Sequence, residues 1–323
     1  MAEQIVDTFL LFDLPPVPTL KGLASRLRLS PRLVYLVVFR PRYTTKTVSQ
    51  PSGKRREIEI PSRPLKAIQR WVARQLLYKV PVDPHAFAYL PRTRGMTPAI
   101  LRNAEVHSRN SHLMVLDLED FFHSISVRRV NALFFSLGYR GHGLHLLTSV
   151  CTYKGRLPVG APTSPAISNL VCKRLDRRLA NFCERRGISY SRYSDDLTFS
   201  ARRSEFLDQA LPMIRKIVRE EGFRENRRKY RRSRPGRRFR ITGLTRGSRG
   251  FGIGRARYRL VRSMVWNAQG SPSPSLVGYL AFVKSVDSDR RAQLAQVEEN
   301  AKKIGALLAS RTNASAMPNN RVQ

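Results

Sequence analysis

Acidic residues are scarce in this sequence of 323 residues: 23 Asp and Glu stand against 59 Lys and Arg, a formal charge of +36. Such a surplus excludes polycationic partners and demands a polyanion, nucleic acid above all, because each neutralised phosphate releases condensed counterions. Cysteine is nearly missing. Cys151, Cys172 and Cys183 are odd in number and show no paired spacing, which excludes a disulfide framework or zinc knuckle and leaves them as small core residues. His142, His145 and Cys151 come nearest to a metal-ligand spacing, but a fourth ligand is lacking. No apolar run approaches the roughly 18 residues that span a bilayer. The opening MAEQIVDTFLLFDLPPVP carries acids where a secretion signal needs basic residues. The expectation is a cytoplasmic protein without a membrane partner. Disorder is excluded too, since 41% hydrophobic residues can offset chain entropy, and the length suits about two domains.

What is present falls into three zones. To about Lys79, Leu20, Leu23, Ala24 and Leu27 recur at helical spacing, and Ser30-Pro31 caps and opens a second apolar helix. Thr44 to Val48 and Arg56 to Ile60 flank a Pro51-Ser52-Gly53 turn, which reads as a basic hairpin; Leu65, Ile68, Val72 and Leu76 then mark a helix face. To about Leu244, strands alternate with helices. His112 to Leu118 is an apolar strand ending in acid, and Ser164-Pro165 opens one helix with the stripe Ile167, Val171, Leu175, Leu179 and Phe182, stopped by Gly187. Ile188 to Tyr193 and Leu197 to Ser200 are strands with room between them only for a hairpin tip. Leu207 to Val218 is helical with a kink expected at Pro212. The third zone is Gly/Arg-rich, then helical from about Asp289 to Leu308.

In so basic a chain, sites that keep carboxylates together are informative. Val115-Leu116-Asp117-Leu118-Glu119-Asp120-Phe121-Phe122 ends one strand, and Tyr193-Ser194-Asp195-Asp196 forms a hairpin tip. If one sheet brings them side by side, Asp117, Asp195 and Asp196 repel unless hard cations neutralise them. Two Mg²⁺ ions roughly 3.5 to 4 Å apart are the apparatus of in-line phosphoryl displacement. Taken alone, Asp195-Asp196 also suits a turn cap.

These two blocks, with Leu157-Pro158-Val159-Gly160-Ala161-Pro162-Thr163-Ser164-Pro165-Ala166-Ile167-Ser168-Asn169-Leu170 between them, resemble the palm of reverse transcriptases. The resemblance runs from about residue 43 to 245. It implies an α+β right-hand polymerase fold of fingers, palm and thumb with a ferredoxin-like palm sheet. It also implies an RNA-directed DNA polymerase in which Asp117 and Asp195 ligate Mg²⁺, Asp196 supports them, and a primer hydroxyl attacks the α-phosphate of a dNTP. The implied division is 1–110 N-terminal helices and fingers, 111–245 palm, and 246–323 thumb and tail. Gly53-Lys54-Arg55-Arg56-Glu57-Ile58 with Pro61, Leu65-Lys66 and Gln69 is similar to the fingers hairpin and its following helix. Lys46 and Arg56 are the candidates to hold the triphosphate, with Arg55 competing and a merely solvated hairpin as the alternative. Gly160 and Ala161 belong to a small-residue loop that lets template and nucleotide approach. Gly222-Phe223 with Asn226 and Lys229 resembles the later palm element whose lysine protonates departing pyrophosphate. Phe122 stands where family members use a ring to exclude a 2′-hydroxyl, and Phe121 beside it points to the opposite face as a core residue.

Asn103-Ala104-Glu105-Val106-His107 and Ile241-Thr242-Gly243 resemble the Asn-Ala-x-x-His and Val-Thr-Gly elements of retron reverse transcriptases in particular. This implies a cognate structured noncoding RNA copied into branched, RNA-linked DNA, an RNA–DNA hybrid as intermediate partner, and antiphage defence with an effector protein. No room for a nuclease is expected after the thumb, so host ribonuclease H removes template. A group II intron-type enzyme and a non-catalytic RNA-binding scaffold are the alternatives. Two departures stand out: Val159 replaces the usual Gln, and the stretch from His85 to Asn103 is long, so that neither Arg92 nor Arg94 takes an assigned role. Residues 224–240 hold ten basic residues, Arg231, Arg232 and Arg237 among them, and one acid. This density suits a phosphate-tracking surface on which Tyr230 and Phe239 either stack against unpaired bases or serve as ordinary packing residues.

Overall fold

The computed structural model of the chain describes residues 12–15, 19–49, 55–91, 96–235, 239–248, 250–268 and 273–315, with side chains to residue 303. The Pro51-Ser52-Gly53 turn with Lys54, Arg92 with Arg94, and Arg237 with Arg238 lie outside these residues. Along the chain run α1 (Leu20–Leu27), α2 (Pro31–Phe39), β1 (Tyr43–Ser49), β2 (Arg55–Pro61), α3 (Arg63–Gln75), α4 (Ala99–Glu105), β3 (His112–Asp117), α5 (Val127–Ser136) and α6 (Gly141–Cys151). Then follow α7 (Ser164–Val171), α8 (Lys173–Glu184), β4 (Ser189–Tyr193), β5 (Asp196–Ala201), α9 (Ser204–Glu220) and β6 (Arg231–Ser233). Last come β7 (Arg240–Ile241), β8 (Leu244–Gly247), β9 (Gly250–Gly252), α10 (Gly254–Ala268), α11 (Pro274–Val286) and α12 (Ser288–Ser315).

Two compact units result, Met1–Arg94 with Asn110–Arg232, and Gly95–Arg109 with Ser233–Gln323. In the first, side-chain caps start the helices: Thr19 Oγ1 accepts from Gly22 N at 2.9 Å and Ser30 Oγ from Leu33 N at 3.2 Å, satisfying otherwise orphaned donors. The stripe Leu65, Ile68 and Val72 of α3 is buried, together with Gln69, whose amide donates to Val150 O and Tyr43 Oη at 2.8 Å each. The apolar run of β3 is buried on both faces, and its edges are covered by β5, with which it pairs antiparallel, and by β6 in a sheet ordered β4-β5-β3-β6. That order, with α8 and α9 on the connections, is the ferredoxin-like arrangement.

One expectation is corrected. The helix beginning at Ser164-Pro165 is two helices, α7 and α8, which meet at Cys172. Leu175 and Leu179 stay buried, but Cys183 rather than Phe182 continues the stripe, and Asp176 turns fully inward with them. Helix α9 runs on through Pro212, which lies on its exposed side. The three cysteines are free and buried, as small core residues.

In the second unit α4 packs on β9 of a three-stranded sheet ordered β7-β8-β9. The pairing of Ile241 with Leu244 leaves Thr242-Gly243 as a two-residue loop, with φ +44° and +88°. Helices α10, α11 and α12 pack on one another around Val261, Val265, Leu276, Val283 and Leu294. Asp287 anchors the start of α12, accepting from Arg290 N at 3.1 Å and from Ile253 N at 3.0 Å.

Candidate active site

Strand register assembles the acids. Asp117, the last residue of β3, lies directly across from Asp196, the first of β5, and Tyr193 pairs with Asp196 on the other side. The turn is therefore Ser194-Asp195 alone. Leu118 N donates to Asp195 O at 2.9 Å, and Asn226 N to Asp117 O at 2.8 Å. A register shift of one residue would send Asp196 to the opposite face.

Asp117 is buried. Its Oδ1 accepts from Lys229 Nζ at 2.7 Å, and its Oδ2 is buried without a partner. Burial raises its pKa, the charge of Asp195 adds to this, and Lys229 and Arg231 oppose it. Asp196 is pushed up to about 6, first by burial and then by Asp195, against the pull of Arg231, whose Nη2 lies 3.7 Å from Oδ1. These carboxylates are held together against their own repulsion. Among the described residues no three metal-ligating groups form a ready-made shell. An orphaned carboxylate oxygen beside a second acid nevertheless suits a hard cation that takes one or two carboxylates and completes its shell with water and phosphate.

The raised pKa of Asp196 has a stability consequence. Between its ordinary value of 3.8 and about 6, the folded chain keeps a proton that the unfolded chain releases, so stability falls as pH rises through that window. In metal-free buffer at pH 7.5, Asp196→Asn is expected to raise stability by about 2 to 3 kcal/mol, with no gain at pH 3.5. Thermal melts at the two pH values measure this. Equal gains at both would trace the effect to something other than carboxylate ionisation.

The opposite-face expectation for the two rings beside the acids is corrected: Phe121 and Phe122 lie in the turn after β3, where strand alternation does not apply, and their rings are 5.4 Å apart. Phe121 also packs 5.9 Å from the Phe223 ring, and Phe122, 9% exposed, faces Tyr89 at 6.1 Å. On the hairpin, Lys46 pairs with Ile58 and Val48 with Arg56. Facing pairs share a side, so Lys46 and Arg56 project together, both exposed, and Arg55 belongs to the other side. Gly160 has φ +116°, and a Cβ there would come within 2.8 Å of Glu59 O and of Ile58 Cγ2. The loop is small at this point because it lies on β2, where Glu59 N donates to Val159 O at 2.7 Å. Ala161 is buried. Lys229 is exposed and reaches from solvent to Asp117. Arg231 neighbours Asp196, and Arg232 is paired with Asp208 on α9.

Several residues carry the site without an obvious sequence signal. Buried Glu59 accepts from Val159 N at 3.1 Å and lies 3.2 Å from His123 Nε2. Fully buried Arg192 and Asp176 form a bidentate pair at 2.7 and 2.6 Å. Asp176 could have been found: Cys172, Asp176, Leu179 and Cys183 fall at helical spacing, and a carboxylate on an apolar stripe requires a buried partner.

In the second unit the expectations for RNA contact need correction. Asn103 and His107 are fully buried, and burial lowers the His107 pKa to about 3, so it is neutral at working pH. Ile241 is buried as well. None of these three side chains presents itself to RNA; Thr242 and Gly243 are half-exposed. Phe239 is not a stacking platform, being buried against Phe251 with the Arg246 guanidinium 4.1 Å from its ring centroid. Tyr230 is half-buried, 5.6 Å from the Arg215 guanidinium. Beside the loop lies an open groove of about 1310 Å³ whose charged lining is six arginines, Arg240, Arg246, Arg255, Arg257, Arg259 and Arg290, against three acids, Glu105, Asp287 and Asp289.

Residues 46–246 match the family model "Reverse transcriptase (RNA-dependent DNA polymerase)". The chain is 34% identical over 314 residues to the Retron Ec86 reverse transcriptase of Escherichia coli, covering 94% of this chain and 97% of that one. It is also 34% identical to the Retron Mx65 reverse transcriptase of Myxococcus xanthus, over 88% of this chain and 72% of that one. A solved structure of telomerase from Candida albicans, in complex with a fragment of telomeric RNA, superposes with a TM-score of 0.50 at 10% identity. It covers 82% of this chain and 56% of that chain, a likeness of fold alone. Among the described residues no helix is long and apolar enough to cross a membrane.

Proposed function

The chain belongs to the reverse transcriptases, in their retron branch, and from that membership we propose that this RNA-directed DNA polymerase copies part of one cognate structured noncoding RNA into branched, RNA-linked DNA. The observation that carries the catalytic half is the register that sets Asp117 across from Asp196 with Asp195 at the turn. Asp117 and Asp195 hold Mg²⁺, with Asp196 in support. Mg²⁺ held there would neutralise the acids and favour attack of the primer hydroxyl on phosphorus, with the hydroxyl proton passing to solvent. Lys229, released from Asp117, carries a proton to the departing pyrophosphate. Lys46 and Arg56 hold the triphosphate from their shared side of the hairpin, while Gly160 and Ala161 keep the loop behind the nucleotide thin.

Sugar choice is assigned to Phe122. Phe122→Val is expected to raise rNTP over dNTP incorporation about tenfold, as vacated apolar volume admits the hydroxyl. Phe121→Ala instead lowers stability by about 3 to 5 kcal/mol as a core truncation. Competition assays and melts separate the two, and an unchanged sugar ratio in Phe122→Val would remove that ring as the gate.

The cognate RNA is assigned to the second unit, with phosphates in the arginine-lined groove and base contacts at Thr242-Gly243. Arg231 and Arg232, with Arg237, serve as further phosphate contacts. Asn103, His107 and Ile241 shape this surface from beneath. Host ribonuclease H removes copied template from the RNA–DNA hybrid, the DNA product works with an effector protein in antiphage defence, and the enzyme acts in the cytoplasm.

The test is the nucleic acid that copurifies. Nonspecific RNA held by charge should wash off as salt rises, leaving one dominant RNA from cells carrying the native flanking DNA. Ribonuclease should then leave a DNA band of defined length from wild type and none from Asp195→Asn. A heterogeneous RNA pool without attached DNA, from enzyme that still extends an ordinary primer, would end the cognate-RNA reading.

A further inference from the structure

The turn that carries Asp195 is strained. Ser194 has φ +61°, a left-handed conformation that costs a non-glycine residue about 1 to 2 kcal/mol. Such a conformation persists only where its surroundings over-determine it. Two contacts do so here. Arg192 Nη1 donates to Ser194 O at 3.2 Å, and Tyr89 Oη meets Ser194 Oγ at 2.6 Å.

Both contacts trace back to other elements of the first unit. The Arg192 guanidinium donates through Nε and Nη2 to Asp176 of α8, and through Nη1 also to Asn169 Oδ1 of α7 at 3.1 Å. Asn169 in turn donates to Ala88 O at 2.8 Å, one residue before Tyr89. The backbone closes the loop: Arg192 N donates to His85 O at 2.8 Å and Phe87 N to Arg192 O at 2.9 Å. Tyr190 Oη completes the shell of Asp176 at 2.8 Å. A fully buried ion pair is a weak source of stability, because apolar residues of the same volume would do as well or better. What a bidentate fork supplies is geometry, fixing a planar group in direction as well as distance.

We propose that Arg192, locked by Asp176, and Tyr89 are positioning residues that clamp Ser194 from its carbonyl and its hydroxyl, and so aim Asp195 at the cation site it shares with Asp117. This rests on the reading of Asp195 as a metal ligand. Neither residue touches the reacting atoms.

The test is equilibrium binding of Mn²⁺, followed by its electron paramagnetic resonance signal in full-length protein bound to primer–template. Melting temperature is measured alongside. Tyr89→Phe removes one hydroxyl from a partly exposed ring. It should raise the Mn²⁺ concentration for half occupancy about three- to tenfold, the range expected for one lost hydrogen bond, with primer–template affinity unchanged. Tyr89→Phe combined with Ser194→Ala should cost no more than either alone, because both delete the same bond. Replacing the buried pair by apolar residues, Asp176→Leu with Arg192→Met and Tyr190→Phe, should keep or raise the melting temperature while weakening Mn²⁺ by a similar factor. A purely structural pair would move stability and leave Mn²⁺ alone.

Wild-type Mn²⁺ affinity in Tyr89→Phe overturns the clamp, whether or not the triple variant folds, and so does a folded triple variant with wild-type affinity. Asp195→Asn is the control for the underlying reading. If it too leaves Mn²⁺ binding intact, the ligand assignment fails; if it abolishes binding while the clamp variants do not, only the clamp fails.

Discussion

Asp117→Asn or Asp195→Asn is expected to lower dNTP incorporation on an RNA template by roughly three orders of magnitude or more, since a bound metal contributes several kcal/mol of transition-state charge stabilisation. RNA binding should remain close to wild type, because the substitution removes no cation from a chain of net charge +36. For Asp117 the substitution has a second effect. Burial and the Asp195 charge already oppose its ionisation, so an amide there relieves repulsion, and the variant should fold at least as well as wild type. Lys229, which donates to Asp117 Oδ1 at 2.7 Å, then loses its anionic partner. Primer extension with a filter-binding control and a melt measures all three quantities. A folded variant that extends primers at the wild-type rate would remove that aspartate from the metal site.

Gly160→Ala should be damaging through stability, for a reason that lies in the fingers hairpin and not in the nucleotide. At φ +116° an L side chain is strained, and its Cβ would press within 2.8 Å of a backbone oxygen, Glu59 O, which cannot rotate aside. Strain and overpacking together suggest a loss of about 2 to 4 kcal/mol in stability. The loop and β2 are joined there by the bond from Glu59 N to Val159 O and by the Glu59 carboxylate accepting from Val159 N. Moving one therefore moves the strand that carries Arg56, and the KM for dNTP should rise about tenfold on the Gly160 variant that still folds. Urea melts and steady-state kinetics check both. Wild-type stability in Gly160→Ala would mean that the loop relaxes off the hairpin without cost.

Local features of this chain are legible without coordinates because they depend on near neighbours. Ser30-Pro31 opens a helix wherever it stands, the stripe Leu65, Ile68 and Val72 is amphipathic at any orientation, and two short strands flanking Ser194-Asp195 can only be a hairpin. The acids, the small-residue loop and the paired basic residues of the hairpin could likewise be read as chemistry, since the residue types limit what they can do. Tertiary structure decided the rest. Which carboxylate faces which follows from the β3–β5 register, a property of two strands far apart in sequence. The partner of inward-facing Asp176, Arg192 on β4, lies on another element, and burial of Asn103, His107 and Phe239 changed residues suited to RNA contact into packing and framework. Sequence spacing states which side chains share a face of one element. Whether that face meets solvent, a phosphate or another element depends on long-range packing, which periodicity does not encode.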